Sequence, residues 1–187
     1  MPAALKEWAV TCRAVLEGEQ IVLLRKGGIR EEGRRFSVPH DRFWLFATYE
    51  HQGETDGLVK EAYRHALQWE TALQPPEGTV RLPGWAEVVA IRRTDDPDVL
   101  ADLSSSHILS DDYAEKRLRW KKRDPLWVLA VRAHRVDGPM ETPALEEYRG
   151  CSSWVDLDGA VPEPEGGTAA LSDAAFASRL QGVLSKL

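Results

Sequence analysis

The chain has 187 residues, a net charge of -6 and 43% hydrophobic residues, enough for one substantial core and ordinary for a soluble globular protein. Its two cysteines, Cys12 and Cys151, lack metal-type spacing, which argues against a disulfide scaffold or a zinc module. The start has no basic-then-apolar signal pattern, and the longest apolar run, Leu126 to Val131, is too short to span a membrane, so a cytoplasmic protein is expected.

In chain order, Leu5, Trp8, Ala9, Cys12, Val15 and Leu16 recur at helical spacing, predicting a helix over Ala4 to Glu17 that Gly18 ends. Cys12 lies on its apolar stripe and reads as a buried, inert thiol. Ile21 to Leu24 is a short buried strand, from whose end Arg25 and Lys26 leave the sheet ahead of Gly27-Gly28. A second strand runs from Arg42 to about His51. Its alternation puts Phe43, Leu45, Ala47, Tyr49 and His51 on one face and Trp44 and Phe46 on the other.

A helix follows from Leu58 through Trp69 and is broken at Pro75-Pro76. Trp85 to Arg93 reads as a strand, and Asp95-Asp96-Pro97 caps a short helix to about Leu103. Ser110 is an N-cap, with Asp111 and Asp112 in the first turn of a helix reaching Lys122. Leu126 to Val136 is apolar on both faces at first, as a central strand should be. Asp137-Gly138-Pro139 then makes a turn, and Ser152 to Leu157 a last strand. The fold expected is α+β: a mixed sheet of about five strands flanked by helices, with a bent, partly closed barrel-like sheet as the alternative. Residues 1–157 form one domain, 158–171 a linker and 172–187 a C-terminal helix. In that helix Phe176, Leu180, Val183, Leu184 and Leu187 make one stripe. The stripe is expected to pack back on the domain, with a homodimer contact as the alternative.

Charge is unevenly spread. From Glu115 to Arg135 eight Lys or Arg stand against two acids, and from Arg25 to Arg42 six against three. A positive face on an acidic protein suits phosphate. The candidate phosphate-binding set is Arg25, Lys26, Gly27, Gly28 and Arg30 at the strand end, extended by Lys121 and Arg132. The loop is neither a Walker loop nor a dinucleotide fingerprint. His51, with Tyr49 on the same face, is the candidate acid–base pair if the protein is an enzyme. No spacing supports a metal site, a serine nucleophile elbow or a metal-dependent nuclease motif, so no metal or cofactor is expected.

Several phrases carry a resemblance: LLRKGGI-x-E, then F-x-V, a strand ending in T-x-E-H-Q, the run RLRWKKRDPLWVLAVRAHRV, and YRGCSSWVDL. Over residues 5 to 157 the chain resembles the bacterial family catalogued as domain of unknown function 1802. What the resemblance implies is a role near DNA restriction or defence, with no activity attached. The expected function is therefore a nucleic-acid- or nucleotide-binding module. The alternative is a small metal-independent enzyme acting on a phosphate ester or nucleotide, in which Arg25 stabilises an anion.

Overall fold

The computed structural model describes residues 1–26, 37–49, 57–120, 124–150 and 152–187. Among these residues the fold is α+β, with five helices and a mixed seven-stranded sheet that bends but does not close into a barrel. The strands are β1 (Ala3–Trp8), β2 (Val22–Arg25), β3 (Arg42–Thr48), β4 (Thr79–Thr94), β5 (Leu126–Pro143), β6 (Trp154–Asp156) and β7 (Thr168–Ala169). They lie in the order β2-β5-β4-β3-β1-β6, with β7 also pairing with β5. The helices are α1 (Ala9–Leu16), α2 (Arg64–Ala72), α3 (Pro97–Asp102), α4 (Asp111–Arg119) and α5 (Asp173–Leu184).

Two strands exceed the expected five, and each has a physical reason. The predicted first helix is a strand for its first half: β1 pairs parallel with β3 and antiparallel with β6. Ala4 and Leu5 are fully buried on opposite faces, so packing on two sides overrides the helical preference of Ala, Leu, Lys and Glu. Helix α1 therefore starts only at Ala9, and it ends where Gly18 turns with φ 72°. The other extra strand, β7, lies in residues 158–171, which run over the sheet. Trp44 Nε1 donates to the Pro162 carbonyl at 2.9 Å and Trp85 Nε1 to the Gly166 carbonyl at 3.0 Å.

Three smaller departures bear on the site. Strand β4 starts at Thr79, six residues before the predicted start. A proline inside a strand usually ends it, but Pro83 falls in a register irregularity between Leu82 and Gly84, where no ladder bond is lost. The turn expected at Asp137 to Pro139 is a bulge inside β5, with Gly138 at φ 116°. Val59, predicted helical, instead bridges to Leu109, so helical structure starts only at Glu61.

Three apolar clusters hold these layers. The inner one packs Leu5, Phe43, Leu45, Leu129 and Val131 against Cys12, Val15 and Leu16 of α1. A second joins Val22, Leu24 and Val128 to Leu118 of α4 and to Phe176 and Val183 of α5. The third gathers Trp44, Phe46, Val80, Leu82, Trp85 and Tyr148 on the opposite side of β3 and β4. The alternation read from Phe43 to Tyr49 is thus realised as two cores, one on each face. The N-caps also form as the sequence indicates: Asp96 accepts from Asp98 N, Ser110 from Tyr113 N and Ser172 from Ala175 N.

Candidate functional site

The site builds up from the alternation of β4. Val80 and Leu82 face the third cluster, so Arg81 and Pro83 face the other way, toward α1. Helix α1 turns Cys12, Val15 and Leu16 inward and leaves Arg13 and Glu17 at its side, joined at 2.9 Å. Among the described residues of α2 only Glu70 is buried, and its carboxylate points into the same space. Tyr49, just past β3, and Arg135 with Gly138 from the β5 bulge complete the walls of a cavity of about 250 Å³. Tyr49 and Ala47 also line a neighbouring cavity of about 270 Å³ bounded by Lys6, Thr48, Pro75 and Tyr148. Tyr49 is therefore the partition of a two-chambered cleft.

Its electrostatics are set by burial. Glu70 is 9% exposed, with Oε1 4.0 Å from Arg13 Nη1 and Oε2 3.7 Å from Arg81 Nη1. Each oxygen faces a different guanidinium beyond hydrogen-bond length. Desolvation raises the Glu70 carboxyl above its ordinary value, the two arginines pull it back, and Glu17 adds to the rise. The Tyr49 hydroxyl is buried and makes no well-formed hydrogen bond. Burial pushes this phenol up, and the neighbouring Arg81 opposes that. Three arginines thus meet two glutamates in this space. That arrangement can hold an anion and leaves a phenol beside it.

The sequence-predicted residues distribute differently. Arg25 is 7% exposed, and its Nη1 bonds Glu7 Oε2 at 2.9 Å and the Lys6 carbonyl at 3.0 Å. Lys26 is buried with its ammonium on the Leu118 carbonyl of α4. Arg132 pairs with Asp173 at the start of α5 and lies 5.5 Å from the Phe176 ring. Of the predicted residues that are described, only Tyr49 lines the cleft. Gly27, Gly28, Arg30, His51 and Lys121 lie outside the described residues, as does Cys151. Sequence reasoning missed Arg13, Glu70, Arg81 and Arg135. For Arg81 a signal existed: a cation between two apolar residues, Val80 and Leu82, marks a strand with a polar face. Among the described residues, no three His, Cys, Asp or Glu side chains are placed to hold a metal ion. None of the described helices is long and apolar enough to cross a membrane.

The sequence matches the family described as Domain of unknown function (DUF1802) over residues 4–182. The chain belongs to this family. The DUF1802 match extends past the motifs in residues 5 to 157 and takes in most of α5. No curated protein matches the chain. Among solved structures, it is similar to an ASCH protein from Zymomonas mobilis at 16% identity. The alignment covers 98% of this chain and 94% of the other, with a TM-score of 0.44. A point mutant of that protein matches at 16% identity and a TM-score of 0.42, covering 96% of each chain. So distant a likeness carries no argument about what this DUF1802 chain does.

Proposed function

We propose that this protein binds a phosphate-bearing ligand, a nucleic acid or nucleotide, in the cleft between α1, α2, β4 and the β5 bulge. The observation that carries the reading is the convergence of Arg13, Arg81 and Arg135, from three separate elements, on one cavity walled by Tyr49. Planar guanidinium groups suit phosphate oxygens, and a half-enclosed setting strengthens each contact over its value in water. A phenol on the partition offers a face against which a base or sugar can lie. Arg25, Lys26 and Arg132 are assigned a supporting role, fixing β2, α4 and α5 around this frame. Gly27, Gly28, Arg30 and Lys121 are proposed, on sequence grounds, to extend the phosphate path. A place near DNA restriction, which the family resemblance implies, adds no residue to the cleft.

The test is titration of a ten-nucleotide single strand at low salt into wild type, Arg81→Gln and Arg135→Ala, with thermal melts to confirm folding. The reading expects each variant to lose about tenfold or more in affinity, in line with the strength of a charge-assisted contact. No binding at low salt, or equal binding by all three proteins, overturns it. A phosphate-ester enzyme using Tyr49 and His51 is the second reading, favoured by the buried Tyr49 hydroxyl facing the cleft without a well-formed hydrogen bond. Turnover of the same strand, abolished in Tyr49→Phe at unchanged affinity, is the result that selects it.

A further inference from the structure

Helix α2 is built against the usual pattern. Its only buried residue among those described is the charged Glu70, while Trp69 and Leu73 beside it are 61% and 42% exposed. Ordinary core packing does not account for burying that carboxylate. It costs desolvation, and hydrogen bonds do not offset it, because its two nearest cations stand 4.0 and 3.7 Å away. What the carboxylate does occupy is the space between Arg13 and Arg81, where the anion of the proposed ligand would sit. Glu70 holds, from within the chain, the seat of the ligand's negative charge.

We propose that the cleft binds its anion with uptake of one proton from solvent, the proton going to the Glu70 carboxylate. The inference rests on the reading of the cleft as an anion site and specifies how that site is regulated. A phosphate drawn between the two arginines takes over their charge and leaves Glu70 facing a second anion in a desolvated wall. Two neighbouring carboxylate-like charges cannot both stay ionised there without a large cost, so the complex gains by making Glu70 neutral. Protonated, Glu70 also becomes a donor that can bond a phosphate oxygen. The groups facing it are Cys12, Arg13 and Glu17 from α1, Arg81 from β4, Tyr49 past β3 and Arg135 from β5. Burial already raises the Glu70 carboxyl in the free protein, against the pull of Arg81 and Arg13, in the same direction as the ligand's charge would. Because the complex binds one more proton than the free protein, affinity strengthens as pH falls and weakens as it rises.

The probe is a ten-residue oligothymidylate, whose phosphodiesters keep one charge each between about pH 5.5 and about pH 8. Calorimetric titration in two buffers of different ionisation enthalpy counts protons taken up by the wild-type protein directly, with no variant needed. The expected result is a net uptake approaching one proton per bound strand. Affinity then falls by up to about tenfold per pH unit at the steepest point. In Glu70→Gln, which keeps the shape and removes the titration, binding at neutral pH is tighter than wild type and nearly flat with pH. Every other titratable group is the same in both proteins, so its contribution cancels in the comparison. Binding by wild type with no proton uptake, or a pH slope that survives in Glu70→Gln, overturns the coupling while leaving the anion site standing. Absence of binding by either protein at any pH overturns the anion site and the coupling together.

Discussion

Arg25 at the end of β2 meets Glu7 of β1 at 2.9 Å, joining an edge strand to one near the opposite side of the bent sheet. Both side chains are buried, at 9% and 3% exposure, and Glu7 also accepts from the Trp8 N–H at the start of α1. Arg117 of α4 feels the same pair, attracted by Glu7 and repelled by Arg25. Removing Glu7 leaves the Arg25 guanidinium buried without this carboxylate, which costs more than the pair itself contributes. Glu7→Gln is expected to destabilise the fold by about 3 kcal/mol in urea unfolding. A loss below about 1 kcal/mol would show the pair to be dispensable for closing the sheet.

His107 gives a pH prediction with a definite sign. It is 4% exposed, and neither ring nitrogen makes a well-formed hydrogen bond. Burial first, and the nearby Lys60 second, lower its pKa from 6.5 to about 4. The unfolded chain thus takes a proton on this ring at a pH where the folded chain does not. The neutral ring costs nothing above about pH 6.5, and stability is lost as pH falls from there toward 4. The full loss is on the order of 3 kcal/mol. Urea unfolding of wild type and His107→Leu at pH 7 and pH 5 checks this: the wild type should lose more stability between the two than the variant. Equal losses would mean that the ring is already charged or already hydrated in the fold.

Helix α5 shows what the sequence could and could not reveal. Its stripe was legible, because Phe176, Leu180 and Val183 recur at helical spacing behind the Ser172 cap. Phe176 and Val183 are buried against Val22, Leu24 and Val128 of the chain itself, with Leu180 and Leu187 half-buried beside them. Phe176→Ala is therefore expected to cost about 3 kcal/mol or more, read as a lower urea midpoint at unchanged slope. Truncation after residue 169 should do more, by baring the faces of β2 and β5. A truncated chain as stable as the full one would mean that α5 is only tethered.

The strands with strict alternation were legible because their period is set by two cores. Phe43, Leu45 and Ala47 face one and Trp44 and Phe46 the other. Strand β1 was not, because Leu5, Trp8, Ala9 and Cys12 fit a helix as well as they fit a strand running into one. The cleft was least legible of all. Arg13, Glu70, Arg81 and Arg135 come from four elements, and nothing in their spacing says that the bulge at Gly138 and the irregularity at Pro83 bring them together. Arg25 and Lys26 stood out because they are adjacent and precede glycines. That adjacency says nothing about the buried partners, Glu7 and the Leu118 carbonyl, that hold their charges.

Salt provides the last prediction, because it counts charges instead of merely detecting them. If the cleft holds a nucleic-acid strand through phosphate, each neutralised phosphate releases counterion. The logarithm of affinity then falls linearly with the logarithm of salt, by about 0.7 per contact for a single strand. Arg135 is exposed and makes no ion pair among the described residues, so its charge can be spent on a ligand. Arg13 already serves Glu17 at 2.9 Å, and Arg81 shares Glu70 with Arg13. Arg135→Ala should accordingly lower the slope by close to one full contact, while Arg13→Ala lowers it by less, since an internal ion pair must first be broken. Mobility shifts of the single strand at a series of salt concentrations measure both slopes. Binding that ignores salt would mean that bases or sugars, not phosphate, carry the affinity, and equal slopes for the two variants would mean that the Glu17 pair does not hold Arg13 back from the ligand.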